Sequence, residues 1–395
     1  MKQITFLHTA DLHLDRPFTS LGDEQKANIR RAELENCLKA MLQKVYEKDI
    51  NILIISGDLF EDSYIRETTV LMLKNLFSEL YRTEIIISPG NHDPIGDNSI
   101  LKTTNWSSNV HILEDSTKPL YLERLNTCIY SMGVKQDVKE DYYTLGALKV
   151  RPDAFNVLVF HGTVDIPFEG GNYNCISSEE LYKLNMDYIA LGHMHCYQQF
   201  TDGKTVAINP GSPEPLGFDE EGEHGCVTGS MYIGTDGQKT VETVYIPTAT
   251  RHYHNIDIDI SNCVEDAEVL ERINSNMGEY RFTAEGWDPA AAQGSLKSSD
   301  LYSLTLTGFI SKGYMPDISK LYSIIESKCF FLKIANKTSE NFDFDKYLEE
   351  PGIKGEFVRR IFDLMEKEAD NDRRETLFLA LQYGLQALEK ERVDK

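Results

Sequence analysis

Five short polar motifs, each following a strand-length apolar run, constrain this chain more than any other feature. The run at 4–7 leads to Asp11-Leu12-His13, the run at 52–55 to Gly57-Asp58-Leu59-Phe60-Glu61, and the run at 85–87 to Gly90-Asn91-His92-Asp93. The run at 157–160 leads to His161-Gly162, and the run at 188–191 to Gly192-His193-Met194-His195. Helical spacing separates the first three runs: Ile29, Leu34, Leu38, Leu42 and Val45, then Val70, Leu73, Leu76, Phe77 and Leu80. Strands alternating with helices predict a layered α/β domain with strands buried on both faces. Ligands bind such a sheet at the carboxyl ends of its strands, so motifs at five such ends converge on one site.

The convergent set is Asp11, His13, Asp58, Asn91, His161, His193 and His195, which offers carboxylate, imidazole and amide oxygen but no thiolate. Those donors suit two divalent ions; oxygen-rich ligation favours Mn²⁺, with Fe²⁺ or Zn²⁺ as alternatives. Asp58 has two oxygens and can bridge ions roughly 3.5–4 Å apart, a geometry that clamps a phosphate and activates water. The chain is therefore expected to be a two-metal phosphoesterase. In extended backbone, Asp11 and His13, like His193 and His195, would project to one side. Glycines next to Asp58, Asn91, His161 and His193 allow tight turns there.

His92 is expected to act as general acid for the departing oxygen, oriented by Asp93. Glu61 and Asp62 are expected either to support the ligands from behind or to lie at the surface, and Cys196 to be a small buried residue. His8 is expected in the core, with His111, His224, His252 and His254 structural or at the surface. Asn209-Pro210-Gly211-Ser212-Pro213 reads as a turn whose backbone N–H groups could face a phosphate.

Beyond Gly203 the pattern becomes strand and turn, with a hairpin expected at Asp236-Gly237 and a boundary near 247–254. Strands at 255–260, 301–307 and 330–335 and helices at 264–276 and 317–328 then predict a small α+β domain. The tail ends in two amphipathic helices. Phe357, Ile361 and Met365 line one, and Leu377, Phe378, Leu381, Leu385 and Leu388 line the other. So short a hairpin cannot bury both apolar faces by itself, so it should dock on its own chain or on another protein.

The N-terminus has no signal-peptide pattern, no apolar stretch approaches the ~20 residues that span a bilayer, and the seven cysteines are scattered singly. A cytoplasmic protein without membrane contact is expected. The formal net charge of −23 opposes unaided binding of DNA. Residues 213–225 sharpen this, carrying Glu214, Asp219, Glu220, Glu221 and Glu223 with no Lys or Arg. A polyanion would need a metal, a local positive cluster or a partner to hold it.

The motif series resembles that of the calcineurin-like metallophosphoesterase superfamily over about residues 1–250. A narrower likeness, to DNA-repair exonucleases of the SbcD/YhaO type, rests on three stretches. They are His8-Thr9-Ala10-Asp11-Leu12-His13-Leu14-Asp15, Ser56-Gly57-Asp58-Leu59-Phe60, and Asn209-Pro210-Gly211-Ser212-Pro213 with Phe218-Asp219-Glu220. The resemblance implies an α/β sandwich of two mixed sheets flanked by helices (1–250), a small α+β capping domain (251–336) and a C-terminal helical partner-docking segment (337–395). It also implies one ion on Asp11, His13, Asp58 and His195 and a second on Asp58, Asn91, His161 and His193. In function it implies a DNA exonuclease or endonuclease subunit of an SbcCD-like repair complex. Its partner would be an SbcC-like coiled-coil ATPase docked on the C-terminal helices, and a homodimer is typical. A phosphodiesterase for nucleotides or other small phosphate esters is the alternative. A structural subunit with a silent site fits poorly with an intact ligand set.

Overall fold

A computed structural model describes residues 3–114, 118–132, 149–166, 175–234, 237–276, 282–283, 286–287, 299–311, 314–340 and 342–390. The chain divides into two compact units, Met1–His254 with Ser299–Leu301, and Asn255–Ser298 with Tyr302–Lys395.

The first unit carries, in chain order, β1 (Gln3–Thr9), α1 (Glu24–Glu47), β2 (Ile52–Ser56), α2 (Glu67–Glu79), β3 (Glu84–Ser88), α3 (Ile100–Thr103) and β4 (Val110–Ile112). It continues with β5 (Leu120–Leu122), β6 (Thr127–Met132), β7 (Phe155–His161), β8 (Thr163–Val164), β9 (Cys175–Ile176) and α4 (Ser178–Lys183). Last come β10 (Tyr188–Gly192), β11 (Gln198–Thr201), β12 (Val206–Asn209), β13 (Gly225–Ile233) and β14 (Lys239–Pro247). The helix α1 starts where the Asp23 carboxylate accepts the backbone N–H groups of Gln25 and Lys26, and it buries Leu34, Leu38, Met41, Leu42 and Val45.

Two six-stranded mixed sheets form, ordered β14-β13-β1-β2-β3-β4 and β11-β12-β10-β7-β6-β5. In the first, β1 to β4 run parallel and β13 pairs antiparallel with β1. In the second, β6, β7, β10 and β12 run parallel. The sheets share a core in which Phe6, Ile52, Ile54 and Ile86 of one meet Ile129, Val157, Val159, Tyr188 and Ala190 of the other. Burying a side chain of this size contributes about 1.5–3 kcal/mol. The outer face of the second sheet is covered separately, with Leu158, Phe160, Ile189 and Leu191 packed on Leu181 and Leu184. Because β1, β2, β3, β7 and β10 all run in parallel arrays, their carboxyl ends deliver the five motifs to one edge of the sandwich. Strands β13 and β14 form the expected hairpin, although residues 235–236 at its turn lie outside the described residues.

The following elements are β15 (Tyr253–Asp259), α5 (Asp266–Asn276), β16 (Phe282–Thr283), β17 (Gly286–Trp287), β18 (Leu301–Thr307), β19 (Phe309–Ile310) and α6 (Ile318–Ile325). After them come β20 (Phe331–Asn336), β21 (Ser339–Glu340), α7 (Phe344–Glu349), α8 (Ile353–Lys367) and α9 (Asn371–Lys390). A three-stranded sheet β15-β18-β20 packs Ile258, Ile260, Leu304 and Leu306 on Val269 and Ile273 of α5 and Leu321 and Ile325 of α6. This is the α+β arrangement that the strand and helix order predicts. The second unit also contains α7 to α9, so the stretches expected as a capping domain and a helical segment lie in one compact unit.

The C-terminal helices are better covered than their sequence suggests. The short α7, which has too few residues for a periodic signal, adds Tyr347 and Phe344 to a cluster with Val358, Leu381, Leu385, Phe357, Ile361 and Phe362. Leu364, Leu379 and Tyr383 remain exposed. Among the described residues, no helix is long and apolar enough to cross a membrane.

Candidate metal centre

The Asp-x-His segment is not extended, contrary to expectation. Asp11 has φ 51° and His13 φ 44°, both left-handed, as are Asp58 at 52° and His193 at 91°. Backbone pairing to the neighbouring turn imposes this, since Asp11 N donates to Gly57 O at 3.2 Å and His13 N to Asp58 O at 3.0 Å. Left-handed backbone costs of order 1–3 kcal/mol per non-glycine residue, and persists where surrounding contacts over-determine it. Two glycines are needed for close approach. A Cβ on Gly57 would fall on the His161 ring, and one on Gly90 on the Asp58 carboxylate.

The expected ligands converge. Asp58 Oδ2 lies 3.5 Å from His13 Nε2 and 3.5 Å from His161 Nε2, midway between two groups of donors. On one side His13 Nε2 faces His195 Nε2 at 3.3 Å, and Asp11, His13 and His195 bring ligand atoms within 4.8 Å of one another. On the other, Asn91 Oδ1 lies 2.9 Å from His161 Nε2 and 2.9 Å from His193 Nδ1. Asp11 also accepts the backbone N–H of His193 at 3.0 Å, tying the two sheets' turns together.

The outer ring nitrogens decide whether this set suits cations. His161 Nδ1 sits 2.8 Å from the Ser56 carbonyl, which can only accept, so that nitrogen carries the proton. His13 Nδ1 donates likewise to Glu61 Oε1 at 3.0 Å, and His195 Nδ1 to Glu220 Oε1 at 2.6 Å. In the neutral rings the three Nε2 atoms are therefore lone-pair donors pointed at carboxylate, amide oxygen and one another. Such converging acceptors require a shared proton or a cation, and outer partners of this kind orient metal-bound histidines. The centre's field is strongly negative: burial opposes charge on His161 and His195, yet Asp58 and Asp11 beside the first, and Glu220 and Asp11 beside the second, raise each to about 9. Burial and the neighbouring His161 lower His193 to about 4.

His92 lies at the mouth, its side chain 40% exposed and its ring 4.7 Å from that of His13. The expected orienting role of Asp93 needs correction. The Asp93 carboxylate turns inward and accepts from the backbone N–H groups of Gly90 at 2.6 Å, Leu59 at 2.7 Å and Asp58 at 3.2 Å. Burial and the adjacent Asp58 nevertheless push it up to about 7. Glu61 is the partner of His92, with Oε2 at 2.8 Å from Nδ1. Burial raises the Glu61 carboxylate, but bonds from His13 and His92 overcome that and hold it well below the usual carboxylate range.

Of the two expected places for Glu61, behind the ligands or at the surface, the structure has the first, with a double contact to His13 and His92 that the sequence does not foretell. Nor does the sequence foretell Glu220 as the support of His195. Glu220 Oε2 accepts from Ser212 Oγ at 3.0 Å, so the 209–213 turn braces His195 through Glu220. His224 is buried against Ser212 and the Glu220 carbonyl behind that turn. Glu214 is also internal, facing Arg30 Nη1 at 3.3 Å. Thus the acidic loop turns Glu214 and Glu220 inward and leaves Asp219, Glu221 and Glu223 exposed. His8 is fully buried, bonded to Tyr188, Ser56 and Leu191, as expected of a core histidine. Cys196, expected to be buried, is exposed, and all seven cysteines are free.

The calcineurin-like phosphoesterase family pattern matches residues 4–197. The chain is 27% identical over 235 residues to a Bacillus subtilis protein named "Uncharacterized metallophosphoesterase YhaO", covering 57% of each. It is 27% identical over 247 residues to the DNA double-strand break repair protein Mre11 of Methanopyrus kandleri, covering 55% of this chain and 51% of that one. To a subunit of the B. subtilis nuclease SbcCD it is 23% identical over 261 residues, covering 56% of this chain and 64% of that one. The chain thus spans between half and two thirds of the length of these curated relatives. With an Asp/His centre at the strand ends of a two-sheet sandwich and the family pattern spanning all seven expected ligands, residues 4–197 carry a calcineurin-like phosphoesterase domain.

Proposed function

We propose that the chain is a two-metal phosphodiester hydrolase that cuts DNA, acting as the nuclease subunit of an SbcCD-like complex in the cytoplasm. The observation that carries this reading is the placement of Asp58 Oδ2 at 3.5 Å from an imidazole of each donor group, as a carboxylate shared by two ions requires. Asp11, His13, Asp58 and His195 would hold one ion, and Asp58, Asn91, His161 and His193 the other, with Mn²⁺ favoured by the oxygen donors. Bound there, the ions would supply charge neutralisation for the phosphate and a water acidic enough to attack it. His92, facing solvent on the Glu61 carboxylate, gives its proton to the departing oxygen, and Glu61 keeps that ring charged and aimed. Asp93 fixes the turns that carry Asp58 and Asn91.

Relatives named for DNA double-strand break repair and for a nuclease support the choice of DNA. The exposed Leu364, Leu379 and Tyr383 on α8 and α9 offer apolar surface to a coiled-coil ATPase. If deleting the last ~50 residues leaves affinity for such a coiled coil unchanged, the docking idea fails. The net charge of −23 favours a second reading, hydrolysis of nucleotides or other small phosphate esters. The deciding experiment compares wild type with Asp58→Ala on end-labelled single- and double-stranded DNA and on a chromogenic diester, with Mn²⁺. DNA cleavage that vanishes with the substitution supports the nuclease. Diester hydrolysis without DNA cleavage, even with the ATPase present, moves the assignment to small substrates.

A further inference from the structure

We infer that Arg16 is a substrate-binding residue, taking the phosphate next to the scissile one in a nucleic-acid strand; this rests on the nuclease reading above. The arginines around it are already committed. Arg30 bonds Glu33, Glu214 and the Pro215 carbonyl. Arg31 holds the Pro17 carbonyl, Glu24 and Asn28. Arg66 holds Asp15 and Glu35, and Arg251 holds Glu33 and the Ser299 carbonyl. Among the described residues, the Arg16 side chain makes one ion pair, Nη1 to Glu61 Oε1 at a long 3.3 Å, is 31% exposed, and lies near enough to His92 and Tyr253 to act on them electrostatically.

Guanidinium carries five N–H donors in a fork that matches phosphate, so most of the donors of Arg16 remain to be spent. Their position gives them a task. Glu61 takes Arg16 and His13 on Oε1 and His92 on Oε2, so the guanidinium and the exposed imidazole flank one carboxylate at the mouth. Glu61 stands between Arg16 and the ligand atoms, one side chain away from the centre that would hold the scissile phosphate. An anion there meets a cation in a chain that is otherwise strongly acidic. A strand extending past the centre brings a second phosphate to that point, whereas a small diester brings none.

The test is steady-state kinetics of Arg16→Gln and Arg16→Lys on a single-stranded oligonucleotide of roughly 20 nucleotides and on a chromogenic diester, with Mn²⁺. Arg16→Gln is expected to raise KM for the oligonucleotide about tenfold with kcat within about twofold, while KM for the diester rises less than about twofold. The log–log salt slope of oligonucleotide binding should fall by about 0.7, and Arg16→Lys should recover most of the loss. An equal fall in kcat on both substrates would overturn the inference and make Arg16 a support for Glu61. An unchanged oligonucleotide KM would overturn it too. If wild type cuts no nucleic acid, the nuclease reading falls, and this inference with it. Melting temperatures of the variants separate these outcomes from misfolding.

Discussion

Replacing Glu61 by glutamine tests the centre where two functions share one side chain. The carboxylate accepts from His13 Nδ1 at 3.0 Å and from His92 Nδ1 at 2.8 Å, and as an anion it satisfies both. A glutamine amide of the same shape has one accepting oxygen and one donating NH₂, so it can satisfy only one ring as before. If the NH₂ faces His13, Nδ1 must accept, the proton moves to Nε2, and the nitrogen facing Asp58 is lost as a ligand. Disturbing an outer partner of a metal-bound histidine typically costs 10–100-fold in metal affinity or activity. If the NH₂ faces His92 instead, that ring cannot hold a proton on Nδ1 and stops being a competent acid, at about 10²–10⁴-fold in kcat. The pH profile carries a sign. The bond from Glu61 is the largest cause raising His92 above its ordinary value, with burial opposing it. Activity that needs protonated His92 is lost as pH rises through its pKa, so Glu61→Gln should move the alkaline limb to lower pH. Metal content by mass spectrometry and kcat for a chromogenic diester between pH 5 and 9 read both effects. Wild-type metal content together with a superimposable pH profile would refute the reasoning.

His92→Asn should keep nearly wild-type metal content while kcat falls about 10²-fold or more; equal loss of both would make His92 a ligand instead. Arg30→Met should destabilise the fold by about 3–5 kcal/mol in denaturant titration, because Glu214 is left charged, buried and without its guanidinium. Adding Glu214→Gln should recover much of that loss, and strict additivity of the two changes would refute the pairing. His8 is fully buried, and burial lowers it from 6.5 to about 3. Below pH 6.5 the unfolded chain takes a proton there that the folded chain refuses, so stability falls by up to about 1.4 kcal/mol per pH unit until about pH 3. A His8→Gln variant lacks that increment, so its stability deficit should shrink between pH 7 and pH 5; a constant deficit would mean that His8 is charged in the fold.

What could be read from the sequence, and what could not, follows from how far each interaction reaches along the chain. The meeting of the seven side chains was legible because each motif sits directly behind its strand, and parallel strands of buried residues must present their ends together. The outer carboxylates were not, since Glu61 meets His13 across 48 positions and Glu220 meets His195 across 25, with no periodicity to connect them. Adjacency also misled: in the turn at Gly90, consecutive residues point apart, so Asp93 faces the interior while His92 faces solvent. Net charge hides placement for a related reason. The formal −23 treats every carboxylate as surface, yet Glu214 and Glu220 are 0% and 4% exposed, one against Arg30 and the other against His195. Two carboxylates from the segment that most opposed a polyanion are thus internal braces, one of them fixing His195. Exposed charges more than about 10 Å from the site are largely screened at physiological salt, so attraction of a phosphate chain depends on groups at the mouth. There His92 and Arg16 stand against Glu61, and ions held by the Asp/His set would tip the balance to positive.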